Sequence, residues 1–213
     1  VPQTQPRPPR KSQAERTAST RRRALDAAVQ CLAHEGYAAT TTIRVAEIAQ
    51  LSRGGMLHHF PTRAGLLSAV LEDIEHRLRD LRRRGLGAIP EDADPFVAVT
   101  RVTWDSYQGD AAVALLELTM AARGDGELAG ALQKTIAALG DYQLEGARKV
   151  AHHVGIFDEE RIRAMHVLHN AAMRGLLMDR ISGRAPADIE AAIDLLEHYK
   201  ARFAEELKAS RAD

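Results

Sequence analysis

Arg53, Gly54, Gly55, His58 and His59 fall within one short run, Arg53-Gly54-Gly55-Met56-Leu57-His58-His59, directly after Ser52. A serine there can cap a helix, because its hydroxyl oxygen accepts a bond from an orphan N–H of the first turn. A guanidinium at the start of such a helix can read guanine O6 and N7 through two parallel bonds, for roughly 1–3 kcal/mol of discrimination. It can equally contact a phosphate, which gives affinity without sequence information, and the residue type leaves both open. The two glycines weaken the helix but let its backbone approach a partner closely. Upstream, Thr41 or Thr42 can cap an earlier helix whose Val45, Ile48 and Ala49 share one apolar face. Ala46 is small enough for a second helix to lie close, and Gln50-Leu51-Ser52 is left as a tight turn. Two short helices joined in this way, the second polar and slim at its start, suit entry into the DNA major groove. Two short amphipathic helices also pack in plain bundles, so the flanks matter.

Those flanks are the helix Arg23-Ala24-Leu25-Asp26-Ala27-Ala28, its end at Glu35-Gly36-Tyr37, Thr40-Thr41-Thr42, Val45-Ala46, Ser52-Arg53-Gly54, His58-His59-Phe60, and the exit Pro61-Thr62-Arg63 before Leu66-Leu67. Residues 22–67 resemble the DNA-binding domain of the TetR family of transcriptional regulators. The resemblance implies an all-α chain: an N-terminal three-helix helix-turn-helix domain, then a larger helical bundle for ligand binding and dimerisation. It makes Thr42, His58, His59 and Arg63 candidates for phosphate contacts, and places Arg44, Ser52, Arg53, Gly54, Gly55 and Leu57 in the DNA-binding set. One departure stands out. Family members usually carry Tyr where this chain has Leu57, and a leucine cannot donate the hydroxyl bond to the DNA backbone, though it can touch a thymine methyl.

The chain has 213 residues, 45% of them apolar and 4% aromatic, with no net charge. Ala and Leu dominate, which favours helix. The charge is unevenly spread. Through Arg63 there are 10 Lys and Arg against 4 acidic residues, and the remainder carries the balancing acidic excess. A basic N-terminal third points to a polyanion, since phosphate contacts supply most non-specific DNA affinity. Cys31 is the single cysteine, so an intrachain disulfide is excluded and a reducing cytoplasm fits. Its apolar neighbours suggest a half-buried packing residue. No run approaches the roughly 18–20 apolar residues of a membrane span, and the start lacks the apolar stretch of a secretory signal.

Residues 1–13, with Pro2, Pro6, Pro8, Pro9, Arg7, Arg10 and Lys11, have little to bury and are expected to be a disordered basic arm, inert or touching DNA. Ser12-Gln13-Ala14-Glu15 has the form of a capping box, and Gly36 a left-handed stop for the helix that follows. The helix-turn-helix domain is thus expected over 14–64 and the helical bundle over 65–213. Leu66, Leu67, Val70, Leu71, Ile74 and Leu78 predict one long helix from Thr62 to about Leu81, its end made basic by Arg77, Arg79, Arg82, Arg83 and Arg84 on a solvated face. Further helices are predicted over 96–107, over 111–122 with Asp110 as cap and burial on most sides, over 128–154, over 159–181 capped by Asp158, and from Pro186 to about Leu207.

The stripes Ile162, Met165, His169, Ala172, Leu176 and Ile189, Ala192, Leu196, Tyr199, Phe203, Leu207 fit either an intramolecular core or an isologous four-helix interface through residues 159–181 and 187–207. Under the resemblance the partners are a near-palindromic double-stranded DNA, a second copy of the chain and a small effector. Trp104, Tyr107, Met120, Met165, His169, Asn170 and Met173 could converge on a pocket, and wall material of Ala, Leu, Val and Met points to a mainly apolar ligand. His166-x-x-His169 and His152-His153 lack a third metal ligand at an obvious spacing. No nucleophile-base order, phosphate loop or cysteine pair suggests an enzyme or a cofactor. A helical small-molecule-binding protein or enzyme that makes no use of DNA is the rival class.

Overall fold

The computed structural model describes residues 12–209. Residues 1–11 of the expected 1–13 arm lie outside the described residues, and Ser12 and Gln13 are not part of an arm but the cap and first residue of α1. Nine helices are present among those described: α1 (Gln13–Ala39), α2 (Thr42–Ile48), α3 (Arg53–His59), α4 (Arg63–Gly87), α5 (Pro95–Ser106), α6 (Asp110–Ala121), α7 (Gly126–His153), α8 (Glu159–Ile181) and α9 (Pro186–Ala209).

Local chemistry sets most of the boundaries. The capping box forms in full: Glu15 N–H donates to Ser12 Oγ at 3.2 Å, and Ser12 N–H to Glu15 Oε2 at 2.7 Å. Thr41, Ser52, Thr62, Asp94, Asp125 and Asp158 each accept from a first-turn N–H of the helix that follows. Gly109, not Asp110, is the N-cap of α6, and it has no side chain to offer. Gly36 breaks α1 with φ +85°, and a Cβ there would also lie 3.1 Å from Glu117 Oε1, so both backbone and space demand glycine. Helix α4 runs past Leu81 to Gly87, and α7 continues through Gly140 and Gly146. At Gly85 a Cβ would meet Val102 Cγ1 at 2.7 Å, so the glycine is what lets α5 lie against the end of α4.

One apolar cluster runs from Leu25, Val29 and Leu32 of α1 through Val45, Met56 and Phe60 to Leu66, Leu71 and Ile74 of α4, and on to Leu118 of α6 and Leu132 and Leu139 of α7. Cys31 is a fully buried member of it, not a half-buried one. The helix-turn-helix thus shares a continuous core with the bundle, chiefly through α1 against α6. Two smaller clusters, Phe96 with Ile156 and Ile162, and Trp104 with Met173, Ile189 and Ile193, tie α5 to α8 and α9. Helix α6 is less enclosed than its sequence implies, with Met120 exposed.

The predicted stripes of α8 and α9 mostly turn into the protomer's own core. Ile162, His169, Ile189 and Ile193 are buried, and Met165, Ala172, Leu176 and Leu196 are half-buried. Val167, Leu168, Met178 and Ile181 on α8 and Leu195 on α9 are apolar residues left exposed outside those stripes, and Tyr199, expected within the α9 stripe, is exposed as well.

Candidate nucleic-acid interface and effector cavity

Helix α3 is held by Met56 and Phe60, both buried, and by the Ser52 cap, whose Oγ accepts from Gly55 N–H at 3.0 Å. Residues 53, 57 and 54, 58 then share the opposite side of the helix, and Arg53, Gly54, Leu57 and His58 are all exposed. Nothing within 4 Å would obstruct a Cβ at Gly54. Arg53 makes no ion pair or hydrogen bond among the described residues, so its guanidinium is free for a ligand. His59 is half-buried, and burial, then His58 and Arg21, pushes its imidazole below the ordinary histidine range.

The turn between α2 and α3 is set by Gln50, which takes φ +53°. Its N–H donates to Glu47 O at 3.0 Å, and Leu51 N–H donates to Ala46 O at 2.9 Å. Arg23 reaches from α1 to the carbonyls of Ala49 and Gln50 and fastens this turn.

Several cations of the basic third are therefore engaged inside the fold. Arg44 pairs with Glu35 and Glu47, and the bond from Arg44 holds the Glu35 carboxyl below its usual range. Arg63 donates from Nε to Thr40 O at 2.8 Å and from Nη2 to Tyr37 O at 2.6 Å, with its guanidinium 4.0 Å above the Tyr37 ring. Arg22 pairs with Asp26 and Asp73. The structure so separates Arg53 and His58, which are open, from Arg44 and Arg63, which are bonded within the protein. Thr42 is half-buried at the first turn of α2.

Tyr37 joins this region to the bundle. Its N–H donates to Glu117 Oε1 of α6 at 2.8 Å, and its hydroxyl to Asp125 Oδ2, the cap of α7, at 2.6 Å. Burial, then the Asp125 carboxylate, raises the Tyr37 phenol.

In the bundle, two neighbouring cavities of about 370 and 420 Å³ share Arg82, Gln143, His166 and Asn170 in their walls. Both fall within the range of small-molecule sites, roughly 300–1,000 Å³. Of the sequence candidates, Met165, His169 and Asn170 line the first, and Tyr107 and Asn170 the second. Trp104 and Met173 pack against each other and α9 in the core, and Met120 faces outward, so none of these three lines either cavity. Their types fitted a pocket, but their helix faces turn elsewhere.

Two wall residues were not singled out from the sequence. Arg82, expected on a solvated face, is 9% exposed, and Lys200 is 2% exposed. The signal was available: Arg82 follows Ile74 and Leu78 at steps of four, and Lys200 follows Ile193 by two turns, so each cation sits on a buried stripe. His166 is engaged by Asn170, whose Nδ2 lies 3.1 Å from its ring Nε2 and donates to its carbonyl at 3.1 Å. His152 bonds Glu159. No group of three or more His, Cys, Asp or Glu is placed to hold a metal among the described residues.

Residues 24–70 match the family described as bacterial regulatory proteins, tetR family. Residues 24–70 thus carry a TetR-family DNA-binding domain. It is 37% identical over 86 residues to the HTH-type transcriptional regulator CymR of Pseudomonas putida, a match that spans 40% of this chain and 42% of that protein. It is 25% identical over 182 residues to the HTH-type transcriptional repressor Rv1474c of Mycobacterium tuberculosis, spanning 85% of this chain and 92% of the relative. The fold agrees with a crystal structure of a TetR transcriptional regulator from Chloroflexus aurantiacus, at a TM-score of 0.72 and 21% identity over 86% of this chain and 95% of that one. An N-terminal helix-turn-helix before a larger helical C-terminal part is the TetR-like fold. No helix among its described residues is long and apolar enough to cross a membrane.

Proposed function

We propose that the protein is a cytoplasmic homodimeric repressor, released from a near-palindromic operator by a small, mainly apolar effector. The observation that carries this reading is the outward face of α3, where Arg53 has no partner among the described residues while the helix is anchored by Met56 and Phe60. Residues 14–64 form the DNA-binding unit and 65–213 the effector and dimerisation unit. Arg53 meets base edges or phosphate, and Gly54 and Gly55 bring the backbone near the groove. Leu57 and His58 flank that contact, and Thr42 and the Ser52 hydroxyl approach the phosphates beside it. Arg44 and Arg63 act from behind, by fixing the ends of α1 and α2.

The dimer uses α8 and α9. Their exposed Leu168, Met178, Leu195 and Tyr199 supply apolar area that a single protomer leaves in water, and α8 keeps small residues, Ala171 and Gly175, on its exposed side. The effector cavity connects to the DNA site along α4. That helix begins at Arg63, directly after α3, and carries Arg82 into the cavity wall some five turns later. An effector acts by binding better to the conformation in which the two α3 helices no longer match successive grooves, and coupling of about 1–3 kcal/mol is typical.

The test is selection of bound sequences from a random DNA pool by the purified full chain, repeated with Arg53→Ala. A two-fold-symmetric motif is expected from the wild type. The variant should melt at the same temperature and lose the motif. A folded wild type that enriches no motif, or a variant that binds it unchanged, overturns the reading.

A further inference from the structure

The two cavities carry more positive charge than their apolar walls need. Arg82 lines both and makes no ion pair or hydrogen bond among the described residues, and its buried Nε has no partner. Lys200 lines the first. Its Nζ donates to Thr100 Oγ1 at 3.2 Å and lies 4.9 Å from the Phe96 ring centroid, with no carboxylate in ion-pair contact. The buried ring nitrogens of His169 have no partner, nor has Asn170 Oδ1. Among the described residues the only acidic one in either wall is Glu145, which is exposed and spent on Lys149 and Arg148. Arg174 adds a further cation to the second cavity.

Burying an ion away from water costs several kcal/mol unless it is paired, so two such cations in one wall are a cost that the fold retains. Removal from water is also the main reason that the Lys200 ammonium is pushed down to about 7 and the His169 imidazole to about 3. Glu197 and Asp94 only partly oppose the first, and Lys200, Arg82 and His166 all add to the second.

We infer that these cavities take an organic acid: an apolar body with a single carboxylate that Arg82 and Lys200 neutralise and to which the neutral His169 donates. This rests on reading the cavities as the effector site, and it replaces a wholly apolar effector by an amphiphilic one. The guanidinium fork matches a carboxylate in two-point fashion. The apolar walls, Phe96, Val99, Val102, Val150 and Ile162 among them, exclude small hydrophilic acids.

The experiment is thermal shift and calorimetric binding on the full chain with sodium decanoate and 4-phenylbutyrate, each beside its primary amide, repeated with Arg82→Met and Lys200→Met. The acids are expected to bind roughly 10- to 100-fold tighter than their amides, as hydrogen bonds to charged groups warrant. Each substitution should raise the melting temperature of the ligand-free protein and abolish that preference while leaving amide binding unchanged. Amides that bind as well as acids, no response to either, or variants that melt lower and keep the preference overturn the inference. These readouts need no DNA. An acid that binds without releasing the operator leaves the site assigned and removes the proposed induction. An amide that binds as tightly and releases the operator overturns the acid and keeps the regulator.

Discussion

At Arg53 and Arg82 the same side chain meets opposite fates, and the difference is position on a helix. Arg53 opens α3 on the side away from Met56, so water solvates it until a ligand arrives. Arg82 continues the stripe of Ile74 and Leu78, so folding carries it inside. His169 belongs with Arg82: burial first, then Lys200, Arg82 and His166, lowers its imidazole to about 3. A histidine in the unfolded chain titrates near its ordinary value. The unfolded state therefore binds the extra proton between that value and about 3, and stability present above pH 6.5 is lost as the pH falls through this window. The contribution is on the order of 5 kcal/mol across the whole window. Replacing His169 by Leu should flatten the decline of unfolding free energy between pH 6.5 and 4, measured by urea titration at each pH. A variant with the wild-type slope would show that His169 is not the group responsible. Gln50 shows what a single residue withholds from a reader of sequence: nothing in its side chain announces a left-handed turn, and it is the packing of α2 on α3, with Arg23 on the turn carbonyls, that imposes it.

At the scale of elements, the end of α1 is the joint between α2 and α3 on one side and the bundle on the other. Tyr37 is tied on one side to Glu117 of α6 and Asp125 of α7, and on the other to Arg63 at the start of α4. A change in the packing of α6 and α7 around the second cavity would therefore reach the base of α3 through one aromatic side chain. Tyr37→Phe removes the bond to Asp125 and should cost about 1 kcal/mol, read as a fall of about 2–4 °C in melting temperature for a chain of this size. It should also narrow the difference in operator affinity with and without effector. Unchanged coupling at the lowered stability would make the joint structural only. Gly36→Ala should be worse by backbone strain alone, about 1–2 kcal/mol, since φ there is +85° and Glu117 Oε1 stands 3.1 Å from the new methyl. Most helix limits were legible because caps are local: Ser12, Ser52, Thr62 and Asp158 each act within a turn of themselves. The start of α6 was misjudged for the same reason inverted, because Asp110 has a capping side chain while the extended backbone falls at Gly109.

At the scale of the molecule, what matters is which apolar faces a protomer leaves uncovered. Leu168 is 59% exposed, Met178 51%, Leu195 51% and Tyr199 59%, on two long helices that already pack against each other. Stable interfaces bury about 1,200–2,000 Å² in total, which two helices from each copy can supply. Leu168→Arg combined with Tyr199→Glu should raise the dimer dissociation constant by at least about 100-fold, since unpaired charges would be buried. Sedimentation should then report a folded monomer with unchanged helical ellipticity and lost operator binding. A double variant that remains dimeric would move the interface elsewhere.

The sequence by itself determined the helices, most of their caps and the helix-turn-helix at 42–59, because capping and periodicity act within a few residues. It also marked Arg53 and its glycines, since a short run of types is enough to describe a groove-facing helix. Only the tertiary structure decided which cations are free. Arg63 is taken up by carbonyls 23 and 26 residues away, and Tyr37 by carboxylates 80 and 88 residues away. Tertiary packing also turned the stripes of α8 and α9 inward, left a different face bare, and enclosed Arg82 and Lys200 in one cavity wall. Such outcomes depend on how distant helices compete to cover the same surface, and the energy of a buried charge is set by every neighbour that excludes water from it.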